Sequence, residues 1–339
     1  MRAAYIDSKE SLEVRTVPDP EPGPGEVLVR VAAVGICGSD LHYYFEGANG
    51  EYVVREPLVP GHELSGTIAS DASGRFAPGT PVTVHPARFG TPEPGIEDEP
   101  HLWPGGSYLG SASTWPHTQG AMSELLVVRA DMIRPLPAQL PVQRAALAEP
   151  LSVGLHAVNR AGDVAGRRVL VSGAGPIGLL ALVAARARGA AEVVVADVLA
   201  EPLALATRLG AARTVQLGVD ELPAHAFDVV LECSGAPAAI SAAGVAVRRA
   251  GTVVQVGMVP NEPRGINLAP YISKEVTLRG TFRFHDEIED AVALLAADPG
   301  IEAVITHTYP LDEAVAAFEV ARDSRASSKV VVLLDPAAG

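Results

Sequence analysis

The chain has 339 residues, 48% hydrophobic and 19% charged, a composition that builds packed cores and is far from that of disordered chains. Its length exceeds one ordinary core, so two domains are expected. With 40 acidic and 26 basic side chains the net charge is −14, which argues against nucleic acid or an anionic membrane surface as partner, since both call for clustered Lys and Arg.

The opening MRAAYIDSKESLEV lacks the apolar stretch of a secretory signal, and runs such as LLALVAA are too short to span a bilayer. Cys37 and Cys233 are the only cysteines and could form at most one disulfide. Together these features lead us to expect a cytoplasmic protein.

In chain order, residues 1 to about 150 read as short strands punctuated by Gly, Pro and Asp: EVLVRVAAVG (26–35), LSGTIAS (64–70), PVTVHP (81–86) and SELLVVRA (123–130). This is the pattern of an irregular, largely antiparallel β-domain. VGICGSDLHYYFEG (34–47) reads as a Gly-rich loop around Cys37. Beyond residue 150 the pattern changes to strand, Gly-rich turn, helix and strand in RRVLVSGAGPIGLLALVAARARGAAEVVVADV. FDVVLECSG and GTVVQVGMV follow as apolar strands, with APAAISAAGVAVRRAG between them as a helix and EVTLRGT as the last strand of the unit. Val-rich strands alternating with helices make a doubly wound parallel sheet covered on both faces. The tail offers two amphipathic helices, IEDAVALLAA and LDEAVAAFEVAR, and a final strand KVVVLL expected to return to the first domain.

Gly173, Gly175 and Gly178 stand in G-x-G-x-x-G spacing between a strand and a helix, with Pro176 and Ile177 at the helix start. The first glycine allows the turn, the second lets backbone approach a pyrophosphate, and the third lets helix and strand pack closely. The helix N-terminus then offers free N–H groups to the phosphates. Asp197 ends the next strand, 19 residues after Gly178, where a carboxylate can accept both ribose hydroxyls and would repel a 2′-phosphate. The first basic residue after it is Arg208, so NAD is expected over NADP. The plain alternative is that Asp197 only terminates a strand.

Cys37, His62 with Glu63 beside it, and Glu149 form a second constellation. A thiolate, an imidazole and a carboxylate suit zinc, and three protein ligands with one open position is the catalytic arrangement. Taken singly, each has a bland reading: a buried thiol is a small hydrophobe, and a histidine before a strand is a satisfied core group. The set beside a dinucleotide motif favours the metal. Glu149, between the two domain patterns, would bring the metal beside the nicotinamide.

The motifs GICGSDLHYY, PLVPGHELSG, AEPLSVGLHA, VSGAGPIGLLA, DVVLECSG and LRGTFRF, in this order over nearly the whole chain, resemble the zinc-dependent medium-chain alcohol and polyol dehydrogenases. The resemblance is nearest to the branches acting on sorbitol and on L-idonate. It implies a Rossmann domain over 151–285 and an irregular β-rich, GroES-like catalytic domain over 1–150 and 286–339. It also implies roles. Cys37 and His62 match zinc ligands; Glu63 and Glu149 match acids that ligate zinc or hold its water. Ser39 and His42 match a proton relay, and Tyr43 and Arg283 match polyol-contacting positions. Val256, Gly257, Met258, Thr281, Phe282 and Arg283 match the lining of the nicotinamide half of the cofactor. Asp40 would brace the ligand loop.

Many relatives hold a second, structural zinc in a lobe with four cysteines. The corresponding residues 85–122 contain no cysteine, so a four-thiolate site is impossible there. Trp103, Tyr108 and Trp115 are expected to anchor this lobe, with Trp115 and His117 packing it rather than reaching substrate; Glu99 and His101 read as solvated surface. The expected reaction is hydride transfer from a secondary alcohol of a sugar acid to NAD, with L-idonate to 5-keto-D-gluconate foremost and sorbitol or xylitol as alternatives. Phe284, where sorbitol dehydrogenases carry a tyrosine, tilts the choice to idonate. A non-catalytic dinucleotide-binding protein or a zinc-free quinone reductase relative would lack the Cys–His–Glu set. A homo-oligomer, tetramer or dimer, is implied, with GTVVQVGMV as an apolar sheet edge at the subunit contact.

Overall fold

A computed structural model describes residues 1–334; the last five residues of the expected catalytic segment, 335–339, lie outside the described residues. The chain divides into two compact units, one of Met1–Glu149 with Ile288–Asp323 and the chain from Lys329 on, the other of Pro150–Glu287 with Ser324–Ser328.

The first unit is built on a seven-stranded sheet. Its order is Ile133–Pro135, Pro81–Val84, Glu63–Asp71, Glu26–Gly35, Lys329–Leu333 and Ile305–Pro310, with Leu125–Arg129 also on Glu26–Gly35. All pairs are antiparallel except the last, Ile305–Pro310 with Lys329–Leu333. Glu26–Gly35 holds the centre because its apolar residues are needed on both faces: Val27, Val29 and Val34 are fully buried. The tail returns as expected, with Val331 opposite Gly35.

The second unit is a six-stranded, all-parallel sheet in the order Arg213–Gln216, Glu192–Asp197, Arg168–Ser172, Phe227–Glu232, Val247–Gln255, Thr277–Gly280. Numbered along the chain this is 3-2-1-4-5-6, the doubly wound dinucleotide-binding order. Val169, Leu170 and Val171 are wholly buried, as a strand covered on both faces requires. The order reverses beside Arg168–Ser172, the strand that feeds the Gly-rich turn, and ligands of such sheets bind at that switch point.

Three readings are corrected. The Gly-rich loop at Cys37 is the start of a helix, Gly38–Glu46, with Cys37 as its N-cap. Asp40 decides this: its carboxylate accepts the Cys37 N–H at 2.9 Å, and Gly47 at φ 74° closes the other end. The helix expected over 236–251 stops at Ala246, because Val247 is extended and its β-branched side chain packs fully buried in the sheet. GTVVQVGMV is not an edge: Thr277–Gly280 pairs outside it, and that strand, exposed throughout, is the edge. Ile305–Pro310 went unread as a strand because ITHTYP alternates exposed with half-buried residues and contains no apolar run.

Candidate active site

The first unit gathers the donors at the end of one strand pair. Gly35 and Glu63 face each other across the ladder, which places Cys37, two residues on, beside His62 and Glu63. One ligand atom from each of Cys37, His62 and Glu63 lies within 4.8 Å of the others, and no other group of three metal-capable side chains does so among the described residues. His62 and Glu63 are buried and Cys37 half-buried. Asp40 locks the frame, one carboxylate oxygen accepting from Cys37 N at 2.9 Å and the other from Gly61 N at 3.0 Å. Glycine at 35 leaves room for the Glu63 carboxylate: a Cβ there would sit 2.1 Å from Glu63 Oε2.

Two further residues complete the cluster, and neither was assigned to it from sequence. Lys329 Nζ donates to Glu63 Oε1 at 2.6 Å and to Ile36 O at 2.9 Å. Tyr108, expected only as an anchor of the lobe, donates its hydroxyl to Glu149 Oε1 at 2.6 Å and sets its ring edge-on to His62, 5.4 Å between centroids. The Lys329 signal was a charged residue opening the apolar run KVVVLL, which gives no hint of a partner 266 positions away.

The electrostatics call for a cation. Burial pulls His62 down, but the charge and hydrogen bond of Cys37 together with the charges of Asp40 and Glu149 outweigh this, and the imidazole is pushed up to about 10. Burial pushes the Glu149 carboxyl up, and the Glu63 charge adds to the rise against His62 and Tyr108. Burial opposes a charged Lys329, but Glu63, Cys37 and Glu149 together overcome it and hold the ammonium above the usual lysine range. His62 Nδ1 and Glu63 Oε2 are buried with no hydrogen-bond partner. Such orphans cost about 1–3 kcal/mol each, a penalty that a bound cation relieves for a carboxylate oxygen. Thiolate, imidazole and carboxylate donors fit zinc.

The remaining expected residues of this unit lie on or near the same helix. Ser39 and His42 sit three apart on Gly38–Glu46, Ser39 half-buried and His42 exposed, with His42 Nδ1 at 3.2 Å from Glu46 Oε1. Tyr43 is buried, its hydroxyl accepting from Ala112 N at 3.1 Å and standing 3.4 Å from Ser111 Oγ. In the lobe, His117 is a packing residue, Nε2 accepting from Arg55 N at 2.9 Å, while Trp103 Nε1 donates to Ile96 O at 2.9 Å. Trp115 is 65% exposed and does not anchor the lobe by burial. His101, expected on the surface, is buried and lies 3.4 Å from Glu99.

In the second unit the three glycines have three different reasons. Gly173 turns at φ 99°. A Cβ on Gly178 would sit 1.9 Å from Gly173 O, so the helix Pro176–Ala187 can pack only on a glycine. A Cβ on Gly175 would meet nothing within 4 Å: the space at the N-terminus of the helix is open. Asp197 accepts from Ala174 N at 2.7 Å and Leu199 N at 2.9 Å, which ties the turn to the end of the second strand. Its two oxygens retain lone pairs for further donors.

At the carboxyl ends of the neighbouring strands, the fully buried Glu232 was missed from sequence. It accepts from Ser234 N, Gly235 N and Gln255 Nε2 at 3.0, 2.9 and 2.7 Å. Val256 and Gly257 both donate their N–H to its backbone carbonyl at 2.8 Å. A Cβ on Gly257 would fall 2.1 Å from Gly235 N, so the two loops touch through glycine alone. Met258 is 81% exposed. Thr281 N donates to Gln255 O at 3.2 Å, and its hydroxyl is buried without a partner. Arg283 adopts φ 51° with its guanidinium 4.7 Å from the Phe282 ring centroid, and Phe284 is buried.

Comparison with known proteins agrees with both halves. Residues 23–138 match the alcohol dehydrogenase GroES-like domain, and residues 176–297 match the zinc-binding dehydrogenase family. Sorbitol dehydrogenase of Macaca fascicularis is 37% identical over 96% of this chain and 93% of its own length. The structure of L-idonate 5-dehydrogenase from Escherichia coli superposes with a TM-score of 0.91 at 33% identity, over 98% of both chains. A zinc-binding dehydrogenase from Sinorhizobium meliloti, in a structure bound to NADP, superposes with a TM-score of 0.87 at 29% identity, again over 98% of both chains. No helix among the described residues is long and apolar enough to cross a membrane. A β-rich unit carrying a Cys–His–Glu cluster and a parallel sheet carrying a dinucleotide turn, both matched over their lengths by dehydrogenases, lead to one conclusion: the chain belongs to the zinc-dependent medium-chain alcohol and polyol dehydrogenase family and is an oxidoreductase of that class.

Proposed function

We propose that the protein oxidises a secondary hydroxyl of a sugar acid with NAD, and that L-idonate, converted to 5-keto-D-gluconate, is its substrate. The carrying observation is Asp197, whose carboxylate lies at the Gly-rich turn and accepts from Ala174 N. A second negative charge placed there, the 2′-phosphate of NADP, would be repelled, and no basic residue precedes Arg208 to offset it. The relative bound to NADP makes this preference a matter for measurement.

Cys37, His62 and Glu63 would hold the zinc, with Glu149 as a fourth group of the site. Zinc bound there would supply Lewis acidity to a substrate hydroxyl. The chain's own groups do the rest. Ser39 would take the proton from that hydroxyl while passing its own on toward His42, which lies three residues on along the same helix and, exposed to water, would release a proton there. Tyr108 holds one oxygen of Glu149, so the other stays free to accept a hydrogen bond from substrate or water. Gly173, Gly175, Gly178 and the start of the Pro176–Ala187 helix would take the pyrophosphate, and the backbone of Val256 to Met258 and of Thr281 to Arg283 would orient the nicotinamide. NAD bound there would supply the hydride acceptor, so that oxidation of the carbinol carbon to a ketone would also release one proton to water.

Arg283 can pair with a carboxylate through two hydrogen bonds or donate to hydroxyls, so it does not separate a sugar acid from a polyol; Phe284, in place of the tyrosine of sorbitol dehydrogenases, favours the sugar acid. The similarity to the Escherichia coli idonate enzyme adds to this, while similarity to sorbitol dehydrogenases supports a neutral polyol as second reading. We also take the protein to be cytoplasmic and a homo-oligomer, dimer or tetramer. The test is NADH formation by zinc-loaded protein on L-idonate, D-gluconate, sorbitol, xylitol and L-threonine, with NAD and NADP in parallel. Turnover of L-idonate with NAD is expected. Preferred turnover of sorbitol or xylitol overturns the sugar-acid reading, and preferred use of NADP overturns the reading of Asp197.

A further inference from the structure

We propose that Lys329 is a positioning residue that shares Glu63 with the metal and thereby weakens the site's hold on zinc; the inference rests on the zinc reading above. The three buried carboxylates of the cluster are satisfied by different partners. Asp40 is met by two backbone N–H groups, from Cys37 and Gly61. Glu149 is met by the Tyr108 hydroxyl. Glu63 is met, among the described residues, by Lys329 alone, at 2.6 Å on Oε1, and its Oε2 has no partner.

Lys329 and Glu63 are 3% and 1% exposed at their side chains, so neither charge is shared with water. A buried ion pair is a poor way to stabilise a strand, because desolvating two charges consumes most of what their attraction returns. An apolar pair would serve the sheet as well. The ammonium also donates to the carbonyl of Ile36, the residue before Cys37, so it touches both segments that carry the outer donors of the cluster. Apart from His62, it is the basic side chain that pairs with this set among the described residues.

Two cations that meet on one carboxylate divide its charge. With Lys329 on Oε1, Glu63 offers a metal less than a full negative charge, and the metal-free protein already has a counter-ion in place. Removing the ammonium acts in one direction on both states. The metal-free form is left with an uncompensated buried carboxylate, and the metal-bound form gains the whole of it.

The experiment is zinc affinity by competition with a chromophoric chelator, on the full chain, for the wild type, Lys329→Met and Lys329→Gln. Thermal midpoints are read with and without zinc. Methionine keeps the stem and removes the charge; glutamine keeps a donor and removes the charge. Both variants should bind zinc more tightly, by about tenfold or more, and zinc should raise their midpoints more than it raises that of the wild type. A Lys329→Met chain that folds only with zinc supports the same conclusion, and Lys329→Gln then supplies the affinity. Unchanged or weaker affinity in the variants overturns the inference. A merely structural Lys329 would lower the midpoint equally with and without zinc. A wild type that takes up no zinc overturns the zinc reading itself, which separates the two failures.

Discussion

Gly178 and Gly175 stand three residues apart in one motif and are predicted to fail in opposite ways. A Cβ on Gly178 would lie 1.9 Å from Gly173 O and 2.9 Å from Gly173 C. Those are backbone atoms of the turn, not the end of a flexible side chain. Restoring an ordinary contact, about 3.5 Å, requires the helix Pro176–Ala187 and the turn to part by about 1.5 Å. Overpacking of this kind costs about 1–3 kcal/mol. Taking about 2 kcal/mol, Gly178→Ala should lower the midpoint of thermal unfolding by about 4–8 °C. At Gly175 the added Cβ meets nothing within 4 Å and the backbone is at φ −65°, open to any residue. Gly175→Ala should therefore change stability by no more than about 1 kcal/mol, the difference between glycine and alanine at an N-cap. Its methyl instead fills the space where the pyrophosphate would approach the backbone. Differential scanning fluorimetry gives the first quantity and titration of NADH fluorescence the second. Gly178→Ala should lose stability, and Gly175→Ala should lose NADH binding with its stability intact. If Gly175→Ala binds NADH like the wild type, the open space beside it is not the phosphate site.

Cys37→Ala should abolish both bound zinc and turnover while NADH binding persists; full activity in a zinc-free variant would end the metal mechanism. Gly35→Ala should push the Glu63 carboxylate aside, because its Cβ would fall 2.1 Å from Oε2. Zinc affinity should drop about 10–100-fold, as is usual when a ligand loses its support, and chelator competition reads it directly. In the second unit, burial pushes Glu287 up, but the His156 hydrogen bond and charge prevail and take it from its ordinary 4.5 to about 2. A carboxylate depressed on folding stabilises the protein fully above pH 4.5 and loses that contribution as pH falls towards 2. Thermal midpoints between pH 5 and pH 2 should accordingly fall less steeply for Glu287→Gln than for the wild type, and parallel slopes would refute the assignment.

Much of the architecture could be read from the residues because it rests on local pattern. EVLVRVAAVG is the strand Glu26–Gly35, and EVVVAD is Glu192–Asp197, since apolar and β-branched runs bounded by turn residues have few other uses. The glycine spacing after RVLVS identified the dinucleotide turn for the same reason: each glycine answers a steric demand made within a few residues of itself. The donor types Cys37, His62 and Glu63 announced their chemistry by composition.

What failed locally failed for identifiable causes. The helix at Cys37 was hidden because its N-cap is a cysteine and its first turn holds Gly38 and Ser39, all poor helix signals, while Asp40 supplies the cap from inside. The edge of the parallel sheet was misplaced although EVTLRGT reads as its last strand, because the order of strands in a sheet follows from pairing and not from local pattern. Pairing put it outside GTVVQVGMV.

By itself the sequence determined most of the elements, which chemistry the donors can support and the steric demands of the Gly-rich turn, because propensity, steric fit and ligand softness belong to residues and their near neighbours. Tertiary structure alone decided how the donors are balanced. Lys329 reaches Glu63 across 266 positions only because the last strand pairs with Glu26–Gly35, which in turn pairs with the strand of Glu63. Tyr108 reaches Glu149 by a comparable return of the chain. A counter-charge acts through distance in space, and strand pairing, which places residues hundreds of positions apart within hydrogen-bonding reach, sets that distance.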